Sequence, residues 1–518
     1  MKKIQFTFIL LISFCANLFA QKDSVRNIVQ QRQLYFSDSI TTLTYNFSKL
    51  SPLFINNLMP KQTSRISIGH QLEKGKFVEA QGSTQTNTAF LSSEGVTELK
   101  GIRLFGSFYY KKVFEDSTRF AHQTRNNTTT PYYYGSPANN HYERSIYDFK
   151  VLGAKNILSD KFTVGLGLDY HIADHFSNND PRGSVKEYQL NTKASLSYNF
   201  NQNIRLGLGY LLGYGQEKVT IGYKNRTYYE SLTSPTYVNY LINGYGEPIP
   251  KTNKRNYNDF QNRSGMEASF EMANTKFGSF YLHGSQVDEK QVYDYRTSEE
   301  ITDLSHYNLS KLNLNLLWIK PVAKGKLSTH LTYENLTGED YNLNYLAKNY
   351  LFTGNELNLN INYTLSKSKT TYNYLIGSTI ADQERIDGIT GNKVYFKNIL
   401  FNAGFGFNHQ IANHKSFGLS LGANYGLPLA DSFMVSPANE SYFTKYVIFH
   451  NYLYNTASRY GGTFSGNYSF PFYNAMQADV AFNFTYSKNS EMKNLQRSLV
   501  TTPGNDRFFS NISFNLYF

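Results

Sequence analysis

From about Arg65 to Phe518 the chain repeats segments of ten or so residues in which one parity is apolar and the other is polar or glycine. Phe162, Val164, Leu166, Leu168 and Tyr170 alternate with Thr163, Gly165, Gly167, Asp169 and His171. Leu357, Leu359, Ile361, Tyr363 and Leu365 alternate with Asn358, Asn360, Asn362 and Thr364, and the scheme recurs from Phe417 to Tyr425 and from Met476 to Tyr486. A side-chain period of two requires strands with one apolar face and one wet face. In a sandwich the apolar face meets a second sheet, whereas in a membrane barrel it meets lipid and the wet face lines a lumen.

Connection lengths separate these architectures. The pattern places strands near 65–73, 87–99, 102–113, 146–157, 162–173, 188–200, 204–214, 262–274, 278–290, 306–318, 325–336, 355–365, 371–382, 394–410, 415–427, 457–470, 474–486 and 507–518. From the second connection onward, tight turns such as Lys100-Gly101, Asn201 to Asn203, Thr275 to Phe277 and Pro471-Phe472-Tyr473 alternate with long links. Phe114 to Arg144, Gly215 to Gln261 and Pro428 to Thr456 are examples of the latter. Short turns on one side of the membrane and long loops on the other is the rule for outer-membrane barrels, and a sandwich has no reason to obey it. The expected fold is all-β: a transmembrane antiparallel up-and-down β-barrel of about 18 strands (roughly 16–20), with a short N-terminal segment. That range reflects 87–99, which alternates weakly, and Lys445 to Tyr454, which reads as an extended or additional strand.

Ahead of the barrel, Lys2 and Lys3 precede an apolar run from Phe6 to Phe14 that is too short to span a bilayer, and Ala20 offers a small residue for cleavage. Residues 1–20 are read as a signal peptide, 21–64 as an N-terminal periplasmic or plug segment, and 65–518 as the barrel. Val25, Ile28 and Val29 have helical spacing, which suits either a plug folded into the barrel mouth or a periplasmic tail. Cys15 follows the bulky Phe14, unlike a lipoprotein cysteine, and leaves with the signal. The mature chain then holds no cysteine, so it forms no disulfide or thiolate metal site. No later run of about 18 apolar residues exists, which excludes helical spanning. The 43 Tyr and 39 Phe suit strands and membrane interfaces.

Ile512, Phe514, Leu516 and Phe518 share one parity, with Asn511, Ser513 and Asn515 on the other, and the sequence stops on an aromatic residue. This resembles the C-terminal signal of substrates of the outer-membrane barrel assembly machinery, and it implies that machinery as a partner. Taken with the Phe19-Ala20-Gln21 signal end, the Asn- and Tyr-rich strands and the pre-barrel segment, the chain resembles uncharacterised outer-membrane barrels of the Bacteroidota. The resemblance implies a fold and a location in the cell outer membrane, and no assigned substrate. Long-chain fatty-acid transporters have a plug of similar length but fewer strands, and their N-terminal motif has no equivalent here.

The residues give little sign of catalysis. Neither G-x-S-x-G nor H-E-x-x-H occurs, and neither an enzyme nor a cofactor is expected. His283 with Ser285, and Ser328 with His330, share strand faces, but scattered Ser and His are what a wet lumen requires. His171, Asp174 and His175 have a spacing that converges on a helix and diverges on a strand, so no metal site is expected. The pairs Gly165/Gly167, Gly207/Gly209 and Gly404/Gly406 lack the third glycine of a dinucleotide loop and are expected to make room on the lumen face.

Charge bears on partners. The net charge of +12 falls to +10 once Lys2 and Lys3 are removed. With no basic run or aromatic-basic platform, nucleic acid is not expected; lipopolysaccharide phosphates and anionic solutes are the natural counter-charges, and outer-membrane lipid surrounds the barrel. Lumen-parity charges have both signs: Arg103, Lys193 and Arg205 against Asp169, Glu267, Glu271 and Asp479. Tyr132-Tyr133-Tyr134, Tyr142 and Tyr228-Tyr229 suit either packing within loops or contact with a sugar or a surface partner. Two function classes follow. A barrel of this size encloses a lumen wide enough for a transport channel or porin-like protein of unknown solute. Alternatively the barrel is a structural or assembly component anchoring extracellular loops that bind a surface partner or lipopolysaccharide; a surface or periplasmic protein of unknown identity is the further partner class.

Overall fold

The structure, a computed structural model, describes residues 39–126, 129–229, 234–251, 255–296, 301–412, 414–473, 476–495, 497 and 501–518. The signal peptide, its cleavage point and the helical spacing at Val25 to Val29 lie outside the described residues.

The alternating segments form β1 (Thr63–Gly75), β2 (Gln85–Leu99), β3 (Ile102–Thr118), β5 (Asn140–Ile157), β6 (Phe162–Ser177), β7 (Arg182–Asn199), β8 (Ile204–Gly222), β11 (Arg255–Thr275) and β12 (Gly278–Arg296). They continue as β13 (Ile301–Val322), β14 (Gly325–Asn342), β15 (Tyr350–Lys367), β16 (Thr370–Asp387), β17 (Lys393–Ala412), β18 (Lys415–Met434), β19 (Ser458–Pro471), β20 (Gln477–Glu491) and β21 (Asp506–Tyr517). Each pairs antiparallel with its chain neighbours, and β1 pairs with β21 from Arg65↔Tyr517 to Gly75↔Arg507, closing an 18-stranded barrel. Closure leaves no open edge, so every ladder group is satisfied inside the wall, which a lipid surrounding demands. Tight turns do the connecting at one end. Lys100 (φ 50) and Gly101 (φ 75) join β2 to β3 in the left-handed conformation that two-residue hairpins favour. The weakly alternating 87–99 segment is a full strand, paired on both sides.

Several strands run further toward the long loops than the alternation extends. The expectation of 188–200 and 204–214 becomes Arg182–Asn199 and Ile204–Gly222, and their pairing continues to Arg182↔Gly222. A strand needs only about 9–11 residues to cross a bilayer. Beyond it both faces meet water or loops, so the ladder continues while the apolar parity fades.

The apolar parity faces outward around the whole circumference. Leu166, Leu208, Ile376 and Leu421, from β6, β8, β16 and β18, are each more than 60% exposed. Exposed apolar surface on this scale is incompatible with water on both sides of the wall. Phe200, Phe277, Phe472 and Tyr473 stand exposed at the tight-turn end, where an interfacial aromatic girdle belongs. Ile512, Phe514, Leu516 and Phe518 have this outward parity at the closing seam: Ile512 is exposed, Phe514 packs on Phe472, and the Phe518 N–H donates to the Ser64 carbonyl at 3.2 Å.

One expectation is corrected. Lys445 to Tyr454 is helical, with a π-helical turn at Thr444–Ile448 leading into an α-helix at Phe449–Asn455. Val447, Ile448, Phe449, Tyr452 and Leu453 are buried. Their spacing is that of one helix face, and packing into the barrel mouth favours it over a strand with no free edge to join.

Candidate functional site: a divided lumen

The first described residues run through the lumen. A helix at Ser39–Ser48, a 3-10 turn at Pro52–Phe54 and a short helix at Ile55–Leu58 cross from the β15–β16 wall to the β5–β8 wall before β1 begins. Ser39 Oγ donates to Asn373 Oδ1 (3.0 Å) and lies 3.1 Å from Thr364 Oγ1. Phe47 packs on Phe54, Tyr281 and His330, and Tyr45 meets Phe105 edge-on. Residues 39–58 thus lie against the lumen side of the wall, and for that position the stretch is called the plug.

Its tightest anchor is Glu267 on β11. One carboxylate oxygen accepts from Ser51 Oγ (2.8 Å) and Ser195 Oγ (2.6 Å), and the other faces Lys193 Nζ (3.1 Å) and His283 Nε2 (3.4 Å). Ser51 also caps the 3-10 turn, accepting from the Leu53 N–H, so one hydroxyl shapes the plug and binds it to the wall. Lys193 donates to the Leu50 carbonyl at 3.1 Å, and Asn57 donates to Glu271 at 2.8 Å. Arg103 donates to the carbonyls of Ile55, Asn56 and Met59 at the end of the last helical turn. Lys49 pairs with Glu94 at 2.8 Å.

Three of the paired glycines serve this docking. A Cβ at Gly165 would lie 2.9 Å from Pro52, one at Gly207 would collide with Leu53, and one at Gly209 would lie 2.7 Å from Glu267 Cγ. Gly404 is different, for a Cβ there would meet nothing closer than 3.6 Å. Gly165, Gly207 and Gly209 therefore seat the plug, Gly404 leaves the β17 wall open, and Gly167 and Gly406 make room for their wall neighbours Lys193 and Ser420.

The long loops close the opposite mouth. β4 (Tyr132–Gly135), β9 (Tyr240–Asn243) and β10 (Glu247–Pro250) form a small antiparallel sheet. Tyr132 donates to Asp340 (2.9 Å), Asn342 donates to Asn243 (3.0 Å), and the Tyr245 N–H donates to Asp387 (2.7 Å), tying this lid to strand ends across the barrel. On its other side Phe120 meets Phe443, and the β18–β19 helix reaches the first loop, where Asn451 accepts from the Ala80 N–H at 2.8 Å. Tyr132, Tyr133, Tyr134 and Tyr142 are buried here, so that tyrosine run packs the lid. Tyr228 remains at the surface, stacked on Tyr237 with ring centroids 3.9 Å apart. In the lid, His122 contacts the Tyr142 hydroxyl. Burial, with Arg144 nearby, pushes its imidazole down to about 3, so it is neutral at pH 7.

Between plug and lid the lumen is chemically two-sided. The β3–β14 wall is charged and internally paired: Lys150 with Asp169 (3.2 Å), His171 with Glu187 (2.9 Å), and Arg263 (2.9 Å) and Lys311 (3.0 Å) with Glu289. The other wall borders a cavity of about 660 Å³. Ser39 and Thr42 of the plug line it, with the polar residues Asn362, Asn373, Asn402, Ser420, Asn424, Thr463, Ser465 and Asn467, the glycines Gly404, Gly406, Gly418, Gly422 and Gly466, and apolar surface from residues such as Tyr374, Leu375, Phe405, Phe407, Leu419, Leu421 and Phe482. None of its lining residues is ionisable at pH 7.

The remaining sequence candidates are dispersed or absorbed. Asp174 takes the outward parity while His171 and His175 face Glu187, and no group of three or more ligating residues suited to a metal occurs among the described residues. His283 belongs to the Glu267 anchor, and His330 packs on Phe47. Asp479 accepts from Asn515 (2.7 Å) and from the Tyr517 hydroxyl (3.1 Å) near the seam. Parity alone missed Ser51 and the neutral cavity wall.

No curated protein matches this chain. Solved structures with a similar fold include BauA, the ferric preacinetobactin receptor from Acinetobacter baumannii, at 9% identity over 88% of this chain and 80% of that one, with a TM-score of 0.41. The FrpB iron transporter from Neisseria meningitidis is 9% identical over 90% and 82%, with a TM-score of 0.39. The toluene transporter TodX from Pseudomonas putida is 11% identical over 91% and 92%, with a TM-score of 0.29. Residues 52–518, from the 3-10 turn of the plug to the end of the seam, match the model of a family of unknown function, DUF6850, and the chain belongs to that family.

Proposed function

We propose that this protein is an outer-membrane transport barrel whose lumen is gated by its own plug and lid. The carrying observation is the division of the lumen: a plug held against the charged wall by polar contacts, beside a wet cavity along the neutral wall. Hydrogen bonds to charged groups are worth roughly 1.5–3 kcal/mol each, and Tyr45, Phe47, Phe54 and Ile55 are buried against the wall beside them, so the plug is firmly seated at rest and opening requires its displacement. The outward apolar belt supports residence in a bilayer, and lipopolysaccharide phosphates suit the excess of basic residues. The solute enters by diffusion or exchange, and no residue is assigned a bond-making role.

Reconstitution in planar bilayers tests the reading. The purified full chain is expected to give brief stepwise openings, and Glu267→Gln, which weakens the plug anchor, to lengthen them. A barrel that stays silent in both forms would favour the second reading, an anchor whose extracellular loops bind a surface partner or lipopolysaccharide.

A further inference from the structure

We infer that the cavity along β15–β19 selects uncharged, hydroxyl-rich solutes of sugar size; this rests on the transport reading above. Its volume of about 660 Å³ falls within the roughly 300–1,000 Å³ of small-molecule sites. All its side-chain polar groups are amides and hydroxyls, which can both donate and accept but supply no counter-charge. An ion entering it would give up hydration without a partner, whereas a polyol would exchange water hydrogen bonds for amide and hydroxyl ones.

Unmet hydrogen-bonding capacity sits at one end of this wall. Asn408 is only 7% exposed, and its amide nitrogen has no partner among the described residues; the same holds for the amide nitrogen of Asn467. Gly418 lies between them. A Cβ there would stand 3.0 Å from Asn408 Nδ2 and would collide with the Asn467 amide, so only glycine fits between the two amides, of which Asn467 lines the cavity. A buried amide donor without an acceptor is costly in a resting wall, and a solute hydroxyl would satisfy it. The ion-paired groups of the opposite wall, Lys150 with Asp169, Lys193 with Glu267 and Arg263 with Glu289, do not compete for this role.

The test is tracer entry into proteoliposomes at clamped zero voltage, with three solutes of one size: glucose, gluconate and glucosamine. The full chain and Glu267→Gln are compared, each with and without Gly404→Asp plus Gly422→Asp. Both glycines have room for a side chain, the nearest atoms to a new Cβ lying 3.6 Å away, so the added carboxylates should leave the wall intact. Glucose is expected to enter at least about tenfold faster than either ion, a difference of ~1.4 kcal/mol. The paired aspartates should reverse the order in favour of glucosamine, and Asn467→Leu should slow glucose alone. Equal entry of all three solutes would overturn the selectivity while leaving the channel. Entry of none, in the full chain and in Glu267→Gln alike, would overturn the channel reading and the selectivity with it.

Discussion

Deleting residues 23–60 while keeping the signal and cleavage site is expected to raise single-channel conductance several-fold without lowering the heat-modifiable fraction of the protein. The barrel does not need the plug to close, since β1 begins at Thr63 and pairs with both β2 and β21 through its own backbone. The deletion frees the space now held by the helix at Ser39–Ser48 and the turn at Pro52–Phe54, and a bore of this strand number is otherwise wide and aqueous. It also strips partners from Glu94, Glu267 and Glu271, but these face a lumen that water would then enter, so the cost is moderated by hydration. Unchanged conductance would mean that the lid alone closes the barrel. Loss of heat-modifiable protein would mean that the segment is needed to build the wall.

Removing Phe518 is expected to lower the amount of folded protein in the membrane sharply while leaving the purified protein able to refold in detergent. In the folded barrel its N–H donates to the Ser64 carbonyl at 3.2 Å, and such a bond is worth roughly 0.5–1.5 kcal/mol. The β1–β21 ladder remains along the rest of its length. A large loss in the cell therefore has to come from recognition during insertion, where Ile512, Phe514, Leu516 and Phe518 present one apolar edge. Equal losses in the cell and in the refolding reaction would make the terminal residue a matter of seam stability, and unchanged yield would remove the assembly role.

The strands were legible because lipid imposes one rule on every crossing segment: alternate residues must be apolar. Leu357 to Leu365 and Phe162 to Tyr170 obey it, and both lie in strands with the expected face outward. Outside the bilayer that rule lapses. In the upper halves of β7 and β8 the outer face turns polar while Val185, Val219 and Ile221 are buried inward under the lid, so the pattern inverts and reads as loop, although the ladder continues to Arg182↔Gly222. The lid was hidden for a related reason, since β4 has only four residues and is held by distant partners such as Asp340 rather than by local pattern. Phe449 to Asn455 did leave a helical trace, in the spacing of Val447, Ile448, Tyr452 and Leu453. Within the lumen, parity pointed Glu267 inward but could not reveal that Ser51, 216 residues away in sequence, is what it holds. Nor could parity reveal the neutral wall, because Gly, Ser and Asn on inward positions look alike whether they seat a plug or border a passage.

The division of the lumen can be measured directly because the only cysteine in the sequence, Cys15, lies in the segment read as the export signal. Single cysteines placed at Ser420 and Thr463 on the cavity wall, and at Ser195 beneath the plug, would be exposed in intact proteoliposomes to a small water-soluble thiol reagent. The account predicts rapid labelling at Ser420→Cys and Thr463→Cys, slow labelling at Ser195→Cys, and equalisation of the three rates once residues 23–60 are removed. Rapid labelling at Ser195→Cys in the full chain, with protection at Ser420→Cys and Thr463→Cys, would contradict it.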